Sequence, residues 1–146
     1  MNRWSLAFAA LSLASCATRP DGPVWSVRQV MDNSEAVEGK VIDIRGWVQR
    51  CERLGCGLYD SREEYRRSQD PDRGPGPGDP EGLGFHLSIG TSAWFDEEAA
   101  LNAPSYVIMT ARVDGRCMND PKHGTIALCI DRSGTLEPIR IIRWGK

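Results

Sequence analysis

Between Gly39 and Cys51 the side chains alternate, with Ile42, Ile44 and Val48 on one side and Asp43, Arg45 and Trp47 on the other. A period of two predicts a strand buried on one face and wet on the other, as in an antiparallel sheet. Gly46 interrupts the buried row, which predicts a bulge or sharp bend and hence a sheet able to curl into a small barrel. The same alternation returns at Leu83, Phe85, Leu87 and Ile89, with His86 in the wetter row, and at Val107, Met109, Ala111 and Val113, with Tyr106, Ile108, Thr110 and Arg112 opposite. Further extended runs are Gly57 to Tyr59, Ile126 to Ile130, and Leu136 to Trp144, the last with Ile139 and Ile141 opposite Arg140 and Ile142.

Two stretches read as short helices. Val27, Val30 and Met31 share one helical face, and Ser26 with Gln29 forms a capping box in front of them. Ser92 to Leu101 predicts a second short helix, with Asp96, Glu97 and Glu98 near its positive end and Asn102-Ala103-Pro104 stopping it. Trp94 and Phe95 are expected to plug the bottom of the barrel. Residues 60–82 break the pattern: Arg62, Arg66, Arg67 and Arg73 balance Glu63, Glu64, Asp70 and Asp72 before a Gly-Pro run. Such a composition predicts a flexible, solvated insertion, with one helical turn over Glu63 to Arg67, because it buries too little apolar area to offset its ordering entropy.

Three strands, a helix and two or more strands predict a mainly β domain with short helices over residues 25–146. That order matches the five-stranded Greek-key barrel known as the OB-fold. The short helix followed by Gly39-Lys40-Val41-Ile42-Asp43-Ile44-Arg45-Gly46-Trp47-Val48 also resembles a pattern of small exported OB-fold-like proteins. The C-terminal strand is longer than the barrel requires.

Length and charge narrow the classes further. The chain has 146 residues, enough for one ordinary domain, and a net charge of −2. Phosphate neutralisation needs a basic footprint, so nucleic-acid binding is not expected. Met1-Asn2-Arg3, the apolar run from Trp4 to Leu13 and the small residues after it have the form of an export signal, too short for the ~20 residues of a membrane-spanning helix. Leu13-Ala14-Ser15-Cys16 resembles the lipobox of bacterial lipoproteins. The resemblance implies removal of residues 1–15, acylation of Cys16 and a membrane anchor, with residues 16–24 as an extended tether. Ala17, in place of the Asp that marks inner-membrane retention, favours the outer membrane, with the domain facing the periplasm.

With Cys16 lipidated, Cys51, Cys56, Cys117 and Cys129 remain, an even number in an oxidising compartment, and predict two disulfides. Of the three pairings, Cys51–Cys56 and Cys117–Cys129 are preferred because each would staple a hairpin. A zinc site from the four cysteines with His86 or His123 is the sharper alternative, but neither pair has the close spacing of such sites. No metal or cofactor is expected. Cys51 and Cys56 also lack the two-residue separation of a thiol redox motif.

Two functions remain. The first is a lipid-anchored, non-catalytic binding or scaffolding module of the cell envelope, with an envelope protein as a possible partner. Arg45, Trp47, Tyr59, His86 and Arg112 are its candidate binding face, since aromatic residues and arginine anchor interfaces. The second is a hydrolase of phosphate esters on a nuclease-like barrel, with Asp43 and Asp114 holding a metal ion and Arg45 and Arg112 stabilising charge. No phosphate-cradling loop or nucleophile–base motif accompanies them.

Overall fold

The computed structural model describes residues 19–52, 55–70, 72, 74, 85–114 and 135–145. The expected strand at Ile126 to Ile130, the Cys117–Cys129 pair, His123, Cys16 and the Gly-Pro run lie outside them. The protein is mainly β with short helices. In chain order come β1 (Val24–Ser26), α1 (Val27–Asp32), α2 (Ser34–Val37), β2 (Val41–Val48), β3 (Gly57–Tyr59), α3 (Arg62–Ser68), β4 (His86–Ser88), α4 (Ala93–Asn102), β5 (Ser105–Val113) and β6 (Leu136–Trp144).

The sheet order is β4-β3-β2-β5-β6. Strand β2 is its centre, pairing along its whole length with β5, from Val41 opposite Arg112 to Val48 opposite Ser105. Its other edge is shared: Trp47 and Val48 pair with β3, and Asp43, Ile44 and Arg45 pair in parallel with β1. The two outer strands also meet, through a parallel bridge between Ile89 and Leu136. There Gly90 N–H donates to the Leu136 carbonyl at 2.8 Å, and Ser88 Oγ accepts from Thr135 N–H at 3.1 Å.

Alternation does what the sequence predicts. Ile44, Val48, Leu58, Leu87, Ile89, Val107, Met109, Ala111, Val113 and Leu136 form one core with Val27 and Val30 of α1 and Phe95 and Ala99 of α4. The capping box forms, with Ser26 Oγ accepting from Gln29 N–H and Gln29 Oε1 from Ser26 N–H. Gly39 takes φ +70°, a conformation that side chains oppose, and delivers the chain into β2. Phe95 is fully buried, whereas Trp94 remains 40% exposed, so only one of the two expected plugs enters the core.

Four local expectations are corrected. The stretch 16–24 is not tether throughout, since Val24 already belongs to β1 and Asp21 is docked on the sheet. Asp43 is buried rather than wet, because that docked segment covers it. The region 60–82 does not begin as a solvated loop: α3 runs one residue beyond each end of the expected turn, and its Glu64 is buried. Finally, β6 slips register against β5 twice, skipping Ile142 and Ile139, so Ile142 turns inward and Ile139 outward, the reverse of simple alternation.

Candidate functional site

Pairing across four strands puts four aromatic side chains at one level of the sheet. His86 of β4 lies opposite Tyr59 of β3, Tyr59 opposite Trp47 of β2, and Trp47 opposite Tyr106 of β5. Directly paired residues share a face, so the row crosses the outer surface of the sheet. Tyr59 and His86 stack at 5.2 Å with planes 25° apart, and Trp47 and Tyr106 meet edge to face at 5.1 Å. Such contacts hold rings at fixed spacing and leave other faces and edges to a ligand. Gly57 and Gly46 sit beside the row, and the side chain of Leu58 between them points into the core.

Helix α3 lies over part of this row. Ser61 caps it by accepting from Glu64 N–H at 3.1 Å, acidic Glu63 and Glu64 occupy the first turn, and Arg66 and Arg67 the last. That charge order suits the helix dipole. Tyr65 packs edge to face on Tyr59 at 5.1 Å, and the Arg62 guanidinium stands 5.5 Å above the Trp47 ring. Arg62 N–H also donates to the Tyr106 hydroxyl at 3.4 Å. The cover is partial, since Tyr106 stays 44% exposed.

Burial under α3 pushes the Tyr59 phenol above its ordinary pKa, a hydrogen bond with Ser68 opposes the rise, and neighbouring Tyr65 adds to it. A raised pKa disfavours tyrosinate, so Tyr59 is poorly suited to act as a nucleophile or base. The chemistry on offer is apolar contact, stacking and hydrogen bonding.

Of the five predicted face residues, Trp47, Tyr59 and His86 come together. Arg45 is one level removed, exposed, and paired with Ile108 and with Ser26. Arg112 does not belong: it lies six residues along β5 from Tyr106, about 20 Å at the usual strand rise, and pairs with Glu137 at 3.4 Å. Sequence reasoning missed three contributors. Tyr106 carried a signal, being in the outer row of a clear strand, whereas Tyr65 and Arg62 act through a helix whose docking no local pattern reveals.

The carboxylates of the hydrolase reading do not converge. Asp43 lies opposite Thr110 in the register, and Asp114 is four residues beyond Thr110, about 14 Å along the strand. Asp43 is instead the centre of a structural network: its Oδ2 accepts from Asp21 N–H at 2.9 Å and its Oδ1 from the Thr110 hydroxyl at 2.6 Å. Arg140 Nε donates to Thr110 Oγ1 at 3.0 Å, and Arg140 is paired with the Asp21 carboxylate. Closing this ring lets a carboxylate be buried without a large desolvation penalty.

Cys51 and Cys56 are joined in a disulfide with Cα atoms 4.3 Å apart. Asp96 places a carboxylate oxygen near the two sulfurs, all three ligand-type atoms lying within 4.8 Å of one another. Sulfurs bonded to each other present no thiolate to a metal ion. Among the described residues no helix is long and apolar enough to cross a membrane. Comparison of the chain with protein-family models, curated proteins and solved structures returns no match.

Proposed function

We propose that this protein is a lipid-anchored binding module of the bacterial cell envelope, held by acylated Cys16 and contacting a partner through the Tyr106–Trp47–Tyr59–His86 row. The observation that carries the reading is the row itself: four neighbouring strands each present one aromatic ring at the same level of an outer face. Rings held by their neighbours lose little freedom on binding, which is why aromatic clusters serve as interface anchors. The sheet order, with the Ile89–Leu136 bridge between its outer strands, supports an OB-fold-like barrel. In that architecture ligands are taken on the face of the second and third strands, here β3 and β4, where Tyr59 and His86 lie. The inference from fold to use is analogy.

The test is site-specific photo-crosslinking in cells, with the probe at Tyr106 and, as a control, at Leu101, which is 83% exposed but off the row. A discrete adduct from position 106, absent from position 101 and lost on Trp47→Ala, is the expected result. Equal adducts at both positions, or an adduct indifferent to Trp47→Ala, would remove the row from the proposal. The hydrolase reading gains nothing from the geometry, because Asp43 and Asp114 stand too far apart to share one metal ion.

A further inference from the structure

We infer that the N-terminal segment straps the domain against the lipid surface, so that the face around Asp21 and Arg140 rests on the headgroups. This rests on the lipid-anchor reading above and goes beyond it, because an anchor alone fixes no orientation. Asp21 is docked at both ends of its residue: its backbone N–H donates to buried Asp43, and its carboxylate pairs with Arg140 on β6. From Cys16 to Asp21 there are five peptide steps, at most about 18 Å of fully extended chain. A domain of this length has a radius of gyration near 14 Å and is roughly 35 Å across. The free tether is therefore about half the width of the body it holds, and the bilayer surface lies within about 18 Å of Asp21.

The surface there suits a headgroup layer. Val41 is 50% exposed two residues from Asp43, and Ile139 is 45% exposed beside Arg140. Exposed Lys40 precedes Val41 and exposed Arg19 precedes Asp21 by two residues, while Arg112 and Arg140 stand at the same end of the sheet, paired with Glu137 and Asp21. Exposed apolar side chains among long basic residues and their carboxylate partners match the boundary between acyl chains and charged headgroups. The aromatic row lies toward the other end of β2, with Trp47 four residues from Asp43, about 14 Å along the strand. The strap thus leaves the row, with α3 over it, at the rim of the membrane-facing surface.

Leu101 makes the inference discriminating. At 83% exposure it is the most exposed of the large apolar side chains described, more so than Val41 or Ile139, and it leads into the Tyr106 end of β5. If hydrophobicity alone chose the membrane-facing side, Leu101 would touch lipid first. The strap predicts the opposite.

The experiment uses the full-length precursor, processed in cells, with p-benzoylphenylalanine in place of Val41, Ile139 or Leu101, and reconstituted in vesicles of phosphatidylethanolamine and phosphatidylglycerol. After flotation and confirmation of the acyl mass on Cys16, irradiation should give lipid adducts from positions 41 and 139 several-fold above position 101. Asp21→Ala, or a Gly-Ser insertion of about 20 residues after Thr18 adding roughly 25 Å of reach, should level the three. Equal yields in the unaltered protein, a preference for 101, or a pattern unmoved by both alterations would overturn the strap with the anchor intact. Failure to float, or an unmodified Cys16, would instead overturn the anchor, and the strap with it.

Discussion

A methyl group at Gly46 would sit 2.6 Å from Leu58 Cγ and 2.6 Å from the Tyr59 carbonyl oxygen. The second contact is with backbone in the adjoining strand, so no rotamer change relieves it. Gly46 therefore belongs to the sheet for its lack of a side chain, letting β3 close onto β2 where Trp47 and Tyr59 pair. Gly46→Ala is expected to destabilise the domain by about 2–3 kcal/mol, in the range of overpacked cores. Urea unfolding should show the midpoint falling with the slope unchanged. A variant as stable as the parent would mean that the strands part there at no cost. The residue was legible as a break in the buried row, but its physical reason was not, since the obstructing atoms lie on another strand.

At the scale of the element, α3 joins the aromatic row to the stability of the whole. Its packing keeps Tyr59 from ionising readily, and burial is the largest cause. The unfolded phenol titrates near 10, so between that pH and the higher folded value the unfolded chain has released a proton that the folded chain keeps. The stabilisation is fully present below pH ~10 and is lost as pH rises through the folded pKa. Tyr59→Phe should flatten the alkaline fall in stability followed by urea unfolding between neutrality and high pH. An identical fall in the variant would place the alkaline sensitivity elsewhere. Strands β2 and β5 and helix α1 could be read from periodicity because each carries its own buried face, and α4 from its acidic start and its Asn102-Ala103-Pro104 stop. Others could not: β1 is three residues of pairing with β2, α3 was legible as a turn but not as a helix packed through Tyr65 on Tyr59, and Asp43 sits in a polar row yet is buried by a chain arriving from position 21. Alternation along a strand tells which side chains share a face. It does not tell what another segment lays over that face.

At the scale of the molecule the question is what joins the outer strands β4 and β6, which lie far apart in sheet order. Among the described residues the contacts are the Ile89–Leu136 bridge, the Gly90 N–H bond to Leu136, and Ser88 Oγ, which accepts from Thr135 N–H and stands 3.3 Å from the Thr135 hydroxyl. Thr135 is only 2% exposed, so losing Ser88 Oγ takes a partner from its amide where water is largely excluded. Ser88→Ala should cost about 1–3 kcal/mol on that ground. The sharper readout is where the loosening appears. Gly90 donates to Leu136 across the β4–β6 contact and so reports it, Asp114 donates to Thr135 along the β5–β6 edge, and the amides between β2 and β5 lie in the longest run of strand pairing. Hydrogen exchange in Ser88→Ala should accelerate at Gly90 by more than the global loss of stability explains, and only by that global amount between β2 and β5. Uniform acceleration would mean that the β4–β6 contact opens only when everything unfolds, making it part of one cooperative unit. Local acceleration would make β4 and α3 the part that can move while β2 and β5 stay fixed. In that case the His86–Tyr59 end of the row is adjustable and the Trp47–Tyr106 end is the rigid platform to which a partner first binds.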